Sequence, residues 1–225
     1  MNGYKKYFLV VLSAIFSISV CAKSVVIVDE IKNNDGSAWM VEKNDKGYYV
    51  KYTNARGKEY GNSTIVSSDL EESNLLLDTA SIGIVSLVMN YPRDAYIFNF
   101  SSGNIPHLIS ACKRITLPSA DQQQVVALLI LCSKDNVTRN MILSSADANK
   151  LFSSENLILN GSVKTLIGND RAFLFDENKK NKKNNPYLIK GDVVEIIGYE
   201  NSMLKVKYNS KTKSDVAWIN FIDVL

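Results

Sequence analysis

The side chains that could do chemistry in this chain are few: a single histidine, His107, and three cysteines at positions 21, 112 and 132. Acid–base catalysis uses histidine more than any other side chain. His107 stands beside Pro106 in a strand-like segment with no partner at a telling spacing, which reads as a structural histidine. A zinc site needs three or four His, Cys or carboxylate ligands, and one histidine with a paired cysteine set does not supply them. Asp69, Glu71 and Glu72 form an acidic cluster. Adjacent residues on a strand point to opposite faces, and the spacing fits no cation loop, so they read as a solvated turn. Neither a Gly-rich phosphate loop nor a nucleophile elbow occurs. The expectation is a protein that is not an enzyme, with no catalytic residue, metal or cofactor.

The redox setting comes from the N-terminus. Lys5 and Lys6 precede an apolar stretch from Phe8 to Val20, and Val20-Cys21-Ala22 places small residues before Lys23. This is the pattern of a secretory signal peptide, too short for a comfortable membrane span. Cleavage after Ala22 is favoured over lipidation at Cys21, because Val20 stands where a lipidated cysteine is preceded by a small residue. The expected location is periplasmic or secreted, without an integral membrane span once the signal is removed. In that setting Cys112 and Cys132 are expected to form a disulfide. They lie on two strand-like segments, His107 to Thr116 and Val125 to Cys132, joined by turn material at Pro118 to Asp121. The midpoint is Gln122, as in a hairpin. A nucleophilic Cys112 helped by His107 would leave Cys132 as a free thiol in an oxidising compartment.

Charge narrows the partners. The chain of 225 residues carries +3, and losing Lys5 and Lys6 leaves about +1, too little to steer the molecule to nucleic acid. Hydrophobic content of 46% is that of a globular protein with a core.

The elements are expected to be strands. Val, Ile, Tyr and Thr recur in short runs with little helical periodicity. Residues 23–156 read as an antiparallel β-domain, a sandwich or partial-propeller-like meander. Ala38 to Val41 and Tyr48 to Tyr52 flank the Asn44-Asp45-Lys46-Gly47 turn. Ser63 to Val66 and Asn74 to Leu77 follow as short strands. Ile82 to Met89, apolar on both faces, suggests a central buried strand. Val125 to Cys132 is expected to pair with Val137 to Leu143, and the segment Ser144-Ser145-Ala146-Asp147 to cap one short helix running to Phe152.

Residues 157–225 carry a different pattern. Tyr187-Leu188-Ile189-Lys190-Gly191-Asp192 enters the strand Val193 to Ile197. Leu204, Val206 and Tyr208 alternate with Lys205 and Lys207. A turn at Lys211 to Asp215 leads to Val216-Ala217-Trp218-Ile219 near the end. This order resembles a bacterial SH3-like domain, covering about the last 60 residues, with Ala217 where the family has glycine. The resemblance implies a small β-barrel that recognises a cell-wall (peptidoglycan) peptide or a protein partner. It also implies a ligand groove bordered by the loop with Lys179, Lys180, Lys182 and Lys183 and near the aromatics Tyr187, Tyr208 and Trp218. Aromatic-lined grooves hold extended peptides. The alternative reading is an immunity or inhibitor protein that blocks a toxin or cell-wall hydrolase.

Overall fold

The computed structural model describes residues 25–121, 124–209 and 214–225. The signal-peptide pattern with Cys21 and Ala22, the turn midpoint Gln122 and most of the Lys211 to Asp215 turn lie outside them. The fold is all-β.

Four strands form an antiparallel meander: β1 (Val26–Lys32), β2 (Ala38–Asn44), β3 (Gly47–Thr53) and β4 (Glu59–Asn62). The β2–β3 turn is set by Gly47 at φ 116° and by the Asn44 side chain, which accepts from the Lys46 amide at 2.8 Å. Period-two alternation sends Trp39, Val41, Tyr48, Val50 and Tyr52 to one face, where all are buried.

The second sheet has six strands: β5 (Leu75–Ser81), β6 (Ile84–Asn90), β7 (Asp94–Ser101), β8 (Leu108–Pro118), β9 (Val126–Ser133) and β10 (Leu157–Leu159). Their order is β10-β9-β8-β7-β6-β5. Leu77, Leu87, Phe98, Phe100 and Ala111 meet the inward face of the first sheet in one core, so this half is a sandwich. Cys112 and Cys132 are register partners and form the expected disulfide.

Three expectations are corrected. Ser63 to Val66 is not a strand: the Asn62 carboxamide oxygen accepts from the Thr64 and Ile65 amides at 2.8 and 2.9 Å and turns the chain, so β4 lies earlier. Val137 to Leu143 does not pair with β9. Residues 135–138 tighten into one helical turn, α1 (Asp135–Thr138), which carries Met141 and Leu143 into the first core, and β10 takes the vacant edge. Strand β6 is one in from the β5 edge and meets a core on one face only: Val85, Leu87 and Met89 are buried there, while on the other face Ser86 is buried but Ile84 and Val88 are half-buried. The expected short helix is present as α2 (Ala148–Leu151), with the Asp147 carboxylate accepting from the Asn149 amide at 2.9 Å.

The C-terminal strands are β11 (Val163–Leu166), β12 (Ala172–Phe173), β13 (Tyr187–Leu188), β14 (Val193–Glu200), β15 (Met203–Asn209) and β16 (Ser214–Asn220). They form a sheet in the order β11-β14-β15-β16 and a separate β12-β13 ribbon, tied to β16 by the Phe175–Trp218 bridge. Among the described residues these hydrogen bonds do not close a barrel. Val194, Ile196, Leu204, Val206 and Ile219 pack with Ile115, Leu117, Leu129 and Leu131 of β8 and β9 in a second core. Both cores therefore lie on the same face of the six-stranded sheet, with β8 contributing Ala111 to the first and Ile115 and Leu117 to the second.

Candidate functional site

Between the two cores the shared face becomes polar. On β8 the inward positions run Ala111, Lys113, Ile115, Leu117, so a lysine occupies a core register. Lys113 is paired across the sheet with Tyr96 on β7 and Leu131 on β9. Its Nζ lies 2.6 Å from the Asp94 carboxylate and 5.0 Å above the Tyr96 ring. Burial alone would draw the proton off this ammonium. The hydrogen bonds to Asp94 and to the Tyr96 hydroxyl outweigh it and hold the Lys113 pKa above the ordinary 10.5.

A lysine raised in the folded chain contributes stability that is present below 10.5 and lost as pH rises through its folded value. Stability curves of the parent and Lys113→Met are therefore expected to converge on the alkaline side, measured by urea unfolding from pH 7 upward. A constant difference between the two at all pH values would show that the ammonium charge does not contribute.

Aromatic rings surround this ion pair. Tyr91 and Tyr96 meet edge to face at 5.7 Å, and Tyr96 and Phe152 do so at 4.8 Å. Phe152 follows α2 directly, and the buried Ser133 hydroxyl donates to the Leu151 carbonyl at 2.6 Å, fixing where the ring enters. Burial first, and the Asp69 charge second, push the Tyr91 phenol above its usual range, so it stays a neutral donor at physiological pH.

Tyr91, Asp94, Tyr96 and Phe152 line an open cleft of about 640 Å³, shared with Thr64, Ser67 and Asn149. A smaller cavity of about 210 Å³ adjoins it across Tyr96 and Phe152, takes in Lys113 and is lined on the C-terminal side by Tyr199, Ser202 and Phe221. The arrangement offers ring faces for apolar side chains or sugar rings, and hydroxyl and amide groups for a polar backbone. Clefts with an apolar lining and a few placed polar groups are the usual form of a ligand site.

The residues expected from the sequence to line a groove are distributed differently. Trp218 pairs with Lys205 on the outer face of its sheet, under the ammonium groups of Lys179 and Lys205 at 5.0 and 5.8 Å. Lys179 is also held by Glu200 at 2.7 Å, and Lys182 donates to the Val216 carbonyl at 3.1 Å. Lys180 and Lys183 are exposed. Tyr208 packs against the second core, on the face of β15 opposite Lys205. Tyr187 lies on the ribbon beside Phe173, with Arg171 5.0 Å over its ring. The lysine loop and Trp218 thus form one cluster, while Tyr208 and Tyr187 are placed apart from it.

His107 is exposed at a single bridge to Ile142. Glu72 pairs with Lys43 at 3.1 Å, and Asp69 bonds to the Ser67 hydroxyl. Among the described residues no group of three His, Cys, Asp or Glu side chains is placed to hold a metal ion, and no helix is long and apolar enough to cross a membrane.

Sequence reasoning did not find Asp94, Tyr96, Lys113 or Phe152. The one available signal was the lysine at position 113, in register with Ala111, Ile115 and Leu117. Comparison of the chain with protein-family models, with curated proteins and with solved structures finds no match in any of the three.

Proposed function

We propose that this is a non-enzymatic, exported binding protein of the bacterial cell envelope. Its SH3-like C-terminal unit and its β-sandwich together hold an extended cell-wall peptide or a segment of a protein partner. The observation that carries this reading is the cleft of about 640 Å³ lined by Tyr91, Tyr96, Phe152 and Asp94, whose ion-pair partner Lys113 lines the smaller cavity beside it. Aromatic rings grip extended chains with little sequence demand, and the reading calls for no cofactor.

A second reading, inhibition of a toxin or cell-wall hydrolase in the same compartment, is favoured by a different observation. The loop at 102–106 is tied down by three buried or half-buried side chains. Trp39 Nε1 donates to the Ser102 hydroxyl at 2.9 Å, Tyr52 to the Gly103 carbonyl at 2.7 Å and Asn54 to the Asn104 carbonyl at 2.9 Å. A preorganised loop with an exposed Ile105 loses little entropy on entering a partner's active site.

The test is co-sedimentation of the chain from Lys23 with purified peptidoglycan, beside a pull-down from envelope extract. Salt-resistant co-sedimentation supports the first reading. One protein recovered in equal amount without wall binding supports the second if its enzymatic activity is blocked in the complex and the first if it is not, and recovery of neither wall nor protein would refute the binding proposal.

A further inference from the structure

The six-stranded sheet has two faces, and both cores lie on one of them. On the other, register partners form a single apolar row across all six strands: Leu76, Val88, Ile97, Cys112, Cys132 and Ile158. Among the described residues no strand or helix lies across this row, and at one end the Asn160 carboxamide reaches the Cys132 sulfur at 3.8 Å. Leu76 and Ile158 at its ends are 36% and 44% exposed, and Leu128 on the same face is 45% exposed. Contiguous apolar surface of this extent is uncommon on a protein that stays alone.

Beside the row lies a polar ladder that is already satisfied from within. The Ser86 hydroxyl donates to Asn99 Oδ1 at 2.6 Å, and Asn99 Nδ2 donates to the Ser110 hydroxyl at 2.8 Å. Polar groups paired in this way can be covered at little desolvation cost. Charge is confined to the margins, with Asp78 beyond Ser86 at the β5 edge and Arg114 on the opposite side of the row. An apolar centre with a polar rim is the anatomy of a protein interface.

We propose that the occupant is a second copy of this chain, packed face to face on this sheet about a two-fold axis. Two observations select it. The face spans six strands of mostly seven or eight residues, on the order of 600 Å² at ordinary strand spacing and rise, which reaches the lower bound for a stable pair. The face also carries one acidic and one basic group on opposite sides of the row. A two-fold arrangement can set Arg114 against Asp78 of the partner subunit twice over, and an isologous interface needs that self-complementarity. The ligand cleft is on the other face of the sheet, so both copies keep it open.

Sedimentation velocity of the chain from Lys23, across about 1 to 100 µM, tests this. The expected result is a reversible dimer with a micromolar dissociation constant. Ile97→Glu at the centre and Leu128→Glu toward one end are each expected to weaken it at least about tenfold. Leu128 is already half in water, so Leu128→Glu should keep the parent's circular dichroism and melt, and it decides the matter if Ile97→Glu does not fold. Arg114→Glu and Asp78→Arg should each weaken the dimer, and the double variant should restore it. A chain that stays monomeric at the highest concentration overturns the proposal, including one whose face instead binds lipid vesicles. So does a dimer indifferent to Leu128→Glu, or a double variant that fails to recover.

Discussion

Trp39→Ala is expected to cost about 4 kcal/mol of folding stability, as removing a fully buried large aromatic does when its site cannot collapse. Trp39 has no solvent exposure and meets Tyr52 at 4.7 Å and Phe100 at 5.6 Å, one ring from each sheet of the sandwich. Its indole N–H also holds the Ser102 hydroxyl, so the substitution removes both packing and a loop anchor. A domain of ordinary stability has about 5–15 kcal/mol in total, so such a loss would leave it close to unfolding at 37 °C. Trp39→Phe keeps most of the volume and should cost less, but it should still loosen the loop at 102–106. Urea unfolding of both variants checks this, and a loss under about 1 kcal/mol for Trp39→Ala would mean the core is not organised around this ring.

Cys112→Ser is expected to lower the melting temperature by about 6–12 °C. The disulfide closes a separation of 20 residues, which in the chain-entropy model stabilises by about 3 kcal/mol. For a chain of roughly 200 residues each kcal/mol shifts the midpoint by about 2–4 °C. Ligand binding should not change, because Cys112 points away from the face of the sheet that bears the cleft, while its neighbour Lys113 points to that face. Calorimetry of the oxidised parent and the variant gives the shift. Equal midpoints would show that the hairpin is held by its ladder alone.

The strands were legible where alternation and turn chemistry agreed. Trp39 to Val41, the Asn44 to Gly47 turn and Tyr48 to Tyr52 could be read directly, because each local choice matches the fold. The disulfide followed from two cysteines placed evenly about a turn. What could not be read were the consequences of side chains bonding backbone. Asn62 ends its strand through a carboxamide that also donates to Leu143 and Ala146 more than 80 positions away, and the pairing of Leu157–Leu159 with β9 skips over the whole segment between. Hydrophobic pattern alone assigned Val137 to Leu143 to that edge. The cleft was hidden for a related reason: Asp94 and Lys113 meet across the β7–β8 pairing, and Phe152 joins them from a distant stretch of the chain by packing against both cores. Trp218 was visible as an aromatic in an apolar strand, but its cover by Lys179 and Lys205 depends on how a long loop folds back.

The measurement that bears most directly on the cleft as the binding site is the affinity of Tyr96→Ala for whichever ligand the parent retains, compared with Tyr187→Ala. Tyr96 touches Phe152, Tyr91 and Lys113 and borders both cavities, whereas Tyr187 lies out on the ribbon. Tyr96→Ala is expected to lose at least about tenfold, the effect of removing a central aromatic contact, and Tyr187→Ala to change little. Unchanged affinity in Tyr96→Ala with a clear loss in Tyr187→Ala would contradict this and move the site to the surface of the C-terminal unit.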